Sequence, residues 1–506
     1  MTNQVREPTT IDARPPPEAP AALSALGLGT VLIGAFLPMA DFFIVNVALP
    51  TIQTTLHASA AALELVVAGY GLAYAMLLVL GGRLGDALGR RPLFLAGMAA
   101  FTATSLACGL APTAGTLVAA RVAQGASAAM MVPQVLATIQ TSTAGAGRAR
   151  ALGLYAATGG IAGIVGQLAG GLLVSADLAG TSWRLIFLVN VPVGLVGLVL
   201  AARLLPASSS TDPSRADLRG TALLGTAVLC LLVPLMVGHT LGWPAWLWMM
   251  LAIAPEAAVG FVRTEQRVER AGGVALVPPS LLRLPGMRRG LGLAVPFFAG
   301  FGGFMFVFAV TLQRSLGFGA LASGLALLPM MLGFLVASVY SARLVARYGR
   351  RVLTGGALVQ GAGLAMVVAA ALADWPHLGV AALAPGTAVA GIGQGLIMSP
   401  LFRVVLADVP PGRAGVAGGV LTTTQQTSLA LGVATLGTLY LSLSAEPGWG
   451  VRDAFIAVLA VQITVAGALA AWSRRLPDSR KTQAQPLPRF RTQQQGCPRS
   501  AEQLSC

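Results

Sequence analysis

Apolar stretches of about 20 residues follow one another along almost the whole chain, and this spacing limits the possible folds more than any other feature. Only 10% of the 506 residues are charged, whereas globular proteins carry about a quarter charged residues. A water-soluble fold of this length has too little interior to hide so much apolar surface, since 55% of the residues are hydrophobic. The sequence therefore predicts an all-α polytopic membrane protein.

Windows of transmembrane length predict about fourteen helices along the chain. Polar residues flank these helices at both ends, so the Pro-rich segment 1–22 and the segment 476–506 are expected to be disordered cytoplasmic tails. The predicted spans lie near residues 25–49, 62–81, 92–111, 115–138, 151–174, 185–205, 219–239, 243–263, 290–312, 321–342, 352–372, 378–401, 415–443 and 453–473.

Arginine is distributed unequally between the two sides of these spans. The loops on one side and both tails carry most of the arginines, whereas the opposite loops carry essentially Arg184, Arg314 and Arg452. Positive charge marks the cytoplasmic side of a membrane protein. The net charge of +15 is therefore assigned to membrane orientation and not to nucleic-acid binding. Both termini are predicted to be cytoplasmic, in a bacterial plasma membrane.

Two parts of the chain resemble each other. The segment RLGDALGRR, from Arg83, follows the second span, and RLVARYGRR, from Arg343, follows the tenth. Gln124 and the glycine after it in span four likewise match Gln394 and Gly395 in span twelve. This repeat predicts two six-helix bundles of similar order.

The repeat also fixes the predicted domain boundaries. The two pseudo-symmetric bundles are expected at residues 23–205 and 287–475. The segment between them, 206–286, contains spans seven and eight, which form an inserted two-helix hairpin. Parallel halves, each with nested inverted repeats, are typical of secondary transporters.

One carboxylate and one guanidinium are expected at the same depth inside the first bundle. Asp41 comes about nine residues before Pro50 in span one, and Arg121 lies about six residues into the oppositely directed span four. At about 1.5 Å per residue, both lie roughly 10–13 Å below the same surface. Each charge alone is costly in hydrocarbon. The interpretation is a proton-sensitive pair; the alternative is a permanent structural ion pair.

Five short motifs occur in a fixed order on the predicted spans. They are residues 41–50 (DFFIVNVALP), 82–91 (GRLGDALGRR), 121–125 (RVAQG), 166–171 (GQLAGG) and 183–192 (WRLIFLVNVP). Together they resemble the motifs of the major facilitator superfamily, specifically its drug:proton antiporter branch with fourteen spans, the EmrB/QacA type. The resemblance covers nearly the whole chain outside the tails and implies the major facilitator fold and transport by alternating access.

The sequence departs from the family pattern at three positions. Phe43 replaces a threonine of the first motif, and Gln167 replaces the proline of the span-five motif. The loss of this proline removes a kink, and the glutamine adds a buried amide that needs partners. In the second copy of the loop motif, Ala346 stands where the first copy has Asp86.

The resemblance implies roles for two groups of residues. In the gating loop, Asp86 is expected to hold the two bundles together by contact with a helix N-terminus. The alternative for the arginines is that they are solvated and only mark the cytoplasmic side. The residues of this loop are Gly82, Arg83, Asp86, Gly89, Arg90 and Arg91. The antiporter helix in span five presents small residues along which bundles pack closely or slide. Its residues are Gly159, Gly163, Gly166, Gln167, Gly170 and Gly171.

A phenylalanine stripe on span nine is a candidate substrate surface. Phe297, Phe301, Phe304 and Phe308 recur at helical spacing. Facing the central cavity, they would bind lipophilic cations and aromatic molecules; the alternative is that they face lipid or pack in the core. Further cavity candidates are Phe42, Asn46, Gln124, Gln394 and Gln425.

The sequence contains no Gly-x-x-x-x-Gly-Lys-[Ser/Thr] loop, and its single lysine, Lys481, lies in the tail. Transport driven by ATP hydrolysis in this chain is thereby excluded. The expected function is that of a monomeric, cofactor-free antiporter that exports lipophilic or cationic small molecules such as antibiotics in exchange for protons. The alternatives are an exporter of one endogenous metabolite, a proton-coupled importer, or a membrane sensor that does not transport.

Overall fold

A computed structural model gives the architecture of the protein. It describes residues 23–143, 145–206, 218–273, 275–406, 408–409 and 414–474. The two tails predicted to be disordered, and the first part of the predicted linker, lie outside the described residues.

The described chain is almost entirely helical. The helices of the first part are α1 (Ala25–Leu56), α2 (Ala60–Leu88), α3 (Arg90–Gly109), α4 (Ala114–Ser142), α5 (Gly145–Ala176), α6 (Leu185–Leu188) and α7 (Asn190–Leu204). These are followed by α8 (Leu218–Leu241), α9 (Ala245–Arg270) and the short α10 (Pro279–Leu282). The remaining helices are α11 (Pro285–Val310), α12 (Ala320–Tyr348), α13 (Arg351–Asp374), α14 (Val380–Leu406), α15 (Ala414–Gly432), α16 (Thr438–Ala445) and α17 (Val451–Ser473).

Thirteen helical stretches in the described residues are long and apolar enough to cross a membrane. The remaining predicted span corresponds to α8, whose apolar stretch Arg219–Leu235 is shorter. Two segments of the described chain are π-helical: Thr311–Ser315 ends the span that begins with α11, and Val433–Gly437 joins α15 to α16. The all-α, multi-pass fold predicted from the apolar spacing is confirmed.

Helices pack in the same order in the two halves of the chain. In the first half α1 packs on α5, α4 packs on α2 and α3, and α7 packs on α3. In the second half α11 packs on α15, α14 packs on α12 and α13, and α17 packs on α13. Each helix thus has the neighbours of its counterpart, which is the pseudo-symmetry that the sequence repeat predicts. The exact domain boundaries stay a prediction.

The halves meet along two helix pairs, α5 with α12 and α2 with α15. The inserted helices α8 and α9 pack on each other, and α8 also packs on α2. Because successive spans alternate in direction, α1 ends and α2 begins at one face of the bundle. This face is called the first-loop face below, and the opposite face, where α1 begins and α17 ends, is called the tail face.

Glycines allow the closest helix pairs to form. In the first half, a Cβ on Gly125 of α4 would collide with the carbonyl of Tyr70 on α2. At the matching point of the second half, a Cβ on Gly395 of α14 would lie 2.5 Å from the carbonyl oxygen of Phe334 on α12. Backbones approach this closely only where the side chain is absent. The repeated Gln-Gly pair therefore lies at the α2–α4 crossing in the first half and at the α12–α14 crossing in the second.

The close α12–α14 crossing predicts opposite effects for two alanine substitutions. Gly395→Ala should lower the thermal unfolding midpoint in detergent, because overpacking costs about 1–3 kcal/mol. Gly355→Ala on α13 should keep or raise the midpoint, because a Cβ there has no heavy atom within 4 Å and alanine favours helix by up to about 1 kcal/mol. Equal midpoints for the two variants would contradict the crossing geometry.

Candidate functional site

Asp41 of α1 and Arg121 of α4 form a buried ion pair. The Arg121 Nη1 donates a hydrogen bond to Asp41 Oδ2, and both side chains are 0% exposed. The equal depth predicted from the sequence thus corresponds to direct contact. Because removal of one partner would leave an uncompensated charge in an apolar interior, the two residues form one energetic unit.

Three polar side chains, those of Gln124, Asn190 and Ser105, add hydrogen bonds around the pair. Asp41 Oδ1 accepts hydrogen bonds from Gln124 Nε2 at 3.1 Å and from Asn190 Nδ2 at 3.0 Å. Gln124 Nε2 also donates to Ser105 Oγ at 2.7 Å, and Gln124 Oε1 accepts from Arg121 Nη1 at 2.7 Å. The Asp41 carboxylate therefore connects α1 to α4 and α7. The amide of Gln124 connects this cluster to Ser105 on α3.

The guanidinium of Arg121 is held by backbone and aromatic contacts as well. Its Nε donates to the carbonyl oxygen of Val66 on α2 at 3.0 Å. Its Cζ lies 4.3 Å from the ring centroid of Tyr70 and 5.6 Å from that of Phe187. Aromatic faces attract cations most strongly where water is excluded. Its Nη2 has no hydrogen-bond partner in the described part of the chain, so one donor of this site is unsatisfied.

Sequence reasoning missed several members of this cluster. Ser105 and Asn190 are polar residues inside apolar spans, and that position alone could have marked them. Tyr70, whose hydroxyl donates to the carbonyl of Pro38 at 3.1 Å, gives no such signal, because aromatic residues are common in any span. Gln124, predicted to line the cavity, lies in this cluster and is 0% exposed.

Glycines of α5 face α1 on one side. A Cβ on Gly166 would lie 2.7 Å from the carbonyl oxygen of Ala40, and one on Gly170 would lie 3.0 Å from that of Ile44. These two α1 residues flank Asp41 in the same helical turns. The backbone of α5 is therefore in close contact with the helix that carries the ion pair.

Other glycines of α5 face α12 of the second half. A Cβ on Gly171 would lie 2.8 Å from the Cα of Leu321, and one on Gly163 would lie 3.1 Å from the sulfur of Met331. Gly159 instead faces α1 and is packed more loosely, since a Cβ there would lie 3.5 Å from the sulfur of Met39. The predicted antiporter helix thus lies between α1 and the opposite half, but its sliding role stays a prediction.

Gln167 lies fully buried at the contact between the halves. It is 0% exposed, and its Nε2 lies 4.0 Å from the sulfur of Met305 on α11. Its Oε1 has no hydrogen-bond partner among the described residues. The helix runs unbroken through this position, from Gly145 to Ala176, without the proline of the related motif.

The predicted gating loop is mostly helical. Gly82, Arg83 and Asp86 belong to α2, Gly89 separates the helices with a φ of 97°, and Arg90 and Arg91 begin α3. A positive φ is favourable only for glycine, so Gly89 makes the sharp turn between α2 and α3 possible. The side chain of Asp86 lies outside the described part of the structure, and its proposed gating contact is untested.

The arginines of this segment bind the ends of other elements. Arg90 Nη1 donates to Thr141 Oγ1 at 2.9 Å near the end of α4, and Arg91 donates to the carbonyl of Ala202 near the end of α7. Cations at helix C-termini satisfy free carbonyls and the helix dipole. Arg83 donates instead to the carbonyl of Ala275 at 2.6 Å, in the segment that follows α9.

Members of the phenylalanine stripe differ in their surroundings. Phe304 and Phe308 are at most 1% exposed and stack with centroids 5.0 Å apart, and Phe297 is 3% exposed. Phe301 is only partly buried and meets Phe43 of α1 edge to face at 6.3 Å. Of the four, Phe301 is therefore the residue with surface available for a ligand in this structure.

The other cavity candidates also separate by exposure. Phe42 and Gln425 are partly buried, whereas Asn46 and Gln394 are each 1% exposed. The Oδ1 of Asn46 and the Oε1 of Gln394 have no hydrogen-bond partner within the described chain. Unsatisfied buried amide oxygens are uncommon, and the predicted cavity role of both residues stays a prediction.

Comparison with known proteins gives a consistent match along the chain. The sequence matches the family described as Major Facilitator Superfamily over residues 31–433. It is 37% identical over 464 residues to the "Probable actinorhodin transporter" of Streptomyces coelicolor, covering 90% of this chain and 78% of that protein. It is 35% identical over 443 residues to the "Cephamycin export protein CmcT" of Amycolatopsis lactamdurans, covering 85% and 89%.

A solved structure matches the fold. The crystal structure of a D-xylose-proton symporter superposes with a TM-score of 0.63 at 15% identity, covering 90% of this chain and 98% of that one. At this identity the likeness concerns the fold alone. The all-helical architecture and the order of helices thus agree with a known transporter fold.

The buried ion pair predicts a large difference between two arginine substitutions. Arg121→Met should lower the thermal unfolding midpoint strongly, because an unpaired buried carboxylate costs about 3–5 kcal/mol. The double variant Asp41→Asn/Arg121→Met should recover most of this loss. Arg452→Met is the matched control, since its ion pair with Asp453 is 43% and 46% exposed and is worth about 0–1 kcal/mol. No recovery in the double variant would contradict the pairing.

Proposed function

Because the chain belongs to the major facilitator superfamily, we propose that it is a proton-coupled antiporter that exports lipophilic or cationic small molecules such as antibiotics. Members of this family are transporters, so the chain is a multi-pass membrane transporter and not an enzyme. The family predicted from the five motifs is confirmed by the match. Proton coupling, the direction of transport and the orientation of the termini are parts of the proposal.

The fully buried Asp41–Arg121 pair is the observation that carries this proposal. A membrane-embedded acid and base in contact are the groups through which a proton can change helix packing. Protonation of Asp41 removes the ionic attraction to Arg121 and weakens the acceptor for Asn190. These contacts fix α1, which also packs on α11 and α12 of the other half. A proton on Asp41 would therefore bias one access state over the other.

One proton per cycle supplies enough free energy for useful export. Movement of one charge through about 100 mV yields about 2.3 kcal/mol. Since about 1.4 kcal/mol corresponds to a tenfold concentration ratio, this sustains roughly a fifty-fold gradient of a neutral substrate. Nucleotide hydrolysis, for which the sequence has no loop, is not needed.

The substrate class is supported by relatives and by side chains. The relatives include one named as a transporter of actinorhodin and one named as exporting cephamycin. Phe301 and Phe43 offer an aromatic surface from both halves, and Gln425 adds a partly buried amide on α15. Flat or cationic molecules bind such surfaces by stacking and cation–π attraction.

Within this cycle, Asp86 is proposed to stabilise one access state from the tail face. Under the predicted orientation, the tail face is cytoplasmic and the substrate enters there. Export of one endogenous metabolite, proton-coupled import and a non-transporting sensor are the alternatives. The intact Asp41–Arg121 pair favours turnover, since a sensor needs no proton-sensitive pair.

Asp41→Asn should reduce proton-driven transport at least about tenfold while the protein stays folded, because the substitution removes the titrating group and keeps the shape. Everted membrane vesicles with an imposed pH gradient measure the effect, with ethidium, actinorhodin and cephamycin as probes. Asp453→Asn, at an exposed acid of α17, is the control with wild-type rates. Wild-type active transport by Asp41→Asn would refute proton coupling through this residue.

Phe301→Ala and Phe308→Ala should separate binding from packing. Phe301→Ala is expected to change the relative export of the three probes by about two- to tenfold, because each aromatic contact is worth about 0.5–1.5 kcal/mol. Phe308→Ala should instead lower the amount of folded protein, since truncation of a buried phenylalanine costs about 3–5 kcal/mol. A uniform loss for all probes in Phe301→Ala, in proportion to folded protein, would exclude the aromatic surface.

A further inference from the structure

Glu64 of α2 is a buried acid outside the ion-pair cluster. It is 2% exposed and lies about 6 Å below the start of α2, at about 1.5 Å per residue. Its carboxylate meets Thr438 of α16, so the contact joins the two halves near the first-loop face. In this structure the same face is closed by further contacts between the halves. Gln313 Nε2, for example, donates to the carbonyl of Val47 at 2.8 Å.

The contacts of Thr438 favour a protonated Glu64 in this closed arrangement. The single Thr438 hydroxyl lies 3.3 Å from each of three acceptors, namely Glu64 Oε1, Glu64 Oε2 and the carbonyl oxygen of Leu235 on α8. One O–H proton cannot serve all three. A protonated Glu64 resolves the shortage, because it donates to Thr438 Oγ1 and leaves the Thr438 proton for Leu235.

Among the side chains that the structure describes, none pairs a positive charge with Glu64. The elements packed against this part of α2 carry two charged residues that pair with each other, Arg121 on α4 and Asp41 on α1. They also carry His57 at the end of α1, His239 on α8 and Tyr440 on α16. The side chain of His239 lies outside the described part. Among the ionisable side chains that the structure describes, none forms an ion pair or hydrogen bond with Glu64. A carboxylate without a cation is costly in such a site.

A π-helical segment sets the position of the Glu64 partner. Residues Val433–Gly437 form this segment directly before Thr438, and a Cβ on Gly437 would lie 3.7 Å from Glu64 Oε1. Single π-helical turns are rare and occur frequently at functional sites. The second half thus presents both a hydroxyl and a bare backbone to the acid.

We propose that Glu64 is a second proton-binding site, distinct from Asp41, whose protonation accompanies closure of the first-loop face. When the halves separate at this face, water reaches the carboxyl group, which releases its proton to a water molecule and becomes a hydrated carboxylate. When the face closes, the carboxylate takes a proton back from water before it is buried against Thr438. The inference rests on alternating access in the proposed function, but not on drug export or on Asp41.

Thiol labelling at the first-loop face tests this inference without a drug or a gradient. Ala320 of α12 is 8% exposed and packs on Gly171 of the other half, so A320C reports opening. Thr55 is exposed at the end of α1, so T55C corrects for the pH dependence of thiol chemistry. Mass spectrometry reads each site separately, and the four native cysteines stay in place.

The A320C/T55C labelling ratio should be similar in native Glu64 and Glu64→Gln proteins at about pH 4, where a hydrated glutamate also carries its proton. Between this pH and about pH 9, the ratio should rise about tenfold in the native protein and stay flat in Glu64→Gln, because burial of a carboxylate opposes closure by at least about 1.4 kcal/mol. Glu64→Met is a second neutral variant if Glu64→Gln does not accumulate. Glu256→Gln, at an exposed acid of α9, should behave as native.

Asp41→Asn separates this inference from the proposed transport mechanism. The pH response should persist in an Asp41→Asn background, whether or not that protein transports a drug. A response that disappears with Asp41→Asn, or a native ratio that stays flat with pH, would overturn the second proton site. If Asp41→Asn loses proton-driven export but keeps the pH response of labelling, the second proton site at Glu64 is supported.

Discussion

The ion pair between Asp41 and Arg121 determines how the first half of the protein is assembled. The Asp41 carboxylate on α1 accepts hydrogen bonds from side chains on α4 and α7. Gln124 adds α3 through its hydrogen bond to Ser105. These contacts fix the relative positions of four apolar helices. Lipid tails provide no hydrophobic force between such helices. Polar contacts of this kind, together with close packing, therefore specify which faces meet and place a buried acid and base at the meeting point.

Small residues transmit the position of α1 to the other half. Gly166 and Gly170 bring the backbone of α5 onto α1, and Gly171 brings it onto α12. Because these contacts involve backbone atoms, a shift of α1 cannot be absorbed by rotation of side chains. Under the proposed function, such close packing would let a local change at Asp41 move the two halves relative to each other.

The two halves have the same order of helices but carry different polar and aromatic side chains. Three residues before the repeated glutamine, the first half has Arg121, whereas the second half has Gly391, whose missing Cβ lets α14 approach the carbonyl of Met330 on α12. The second half contributes instead the aromatic side chain of Phe301 and the hydroxyl of Thr438. The buried acids Asp41 and Glu64 thus both belong to the first half, and Thr438, the residue that Glu64 meets across the interface, is neutral.

The sequence by itself determined the fold class, the repeat and the Asp41–Arg121 pair, because hydropathy, spacing and the cost of lone charges in hydrocarbon are local properties. Only the tertiary structure decided which neighbours bind the pair. Asn190 is distant from Asp41 in sequence, and its hydrogen bond to Asp41 depends on how α7 packs against α1. The tertiary structure also buried Phe308 and left Phe301 accessible, although both belong to one stripe. The same cause made Glu64 an interface residue, because burial depends on contacts with helices whose placement no local pattern encodes.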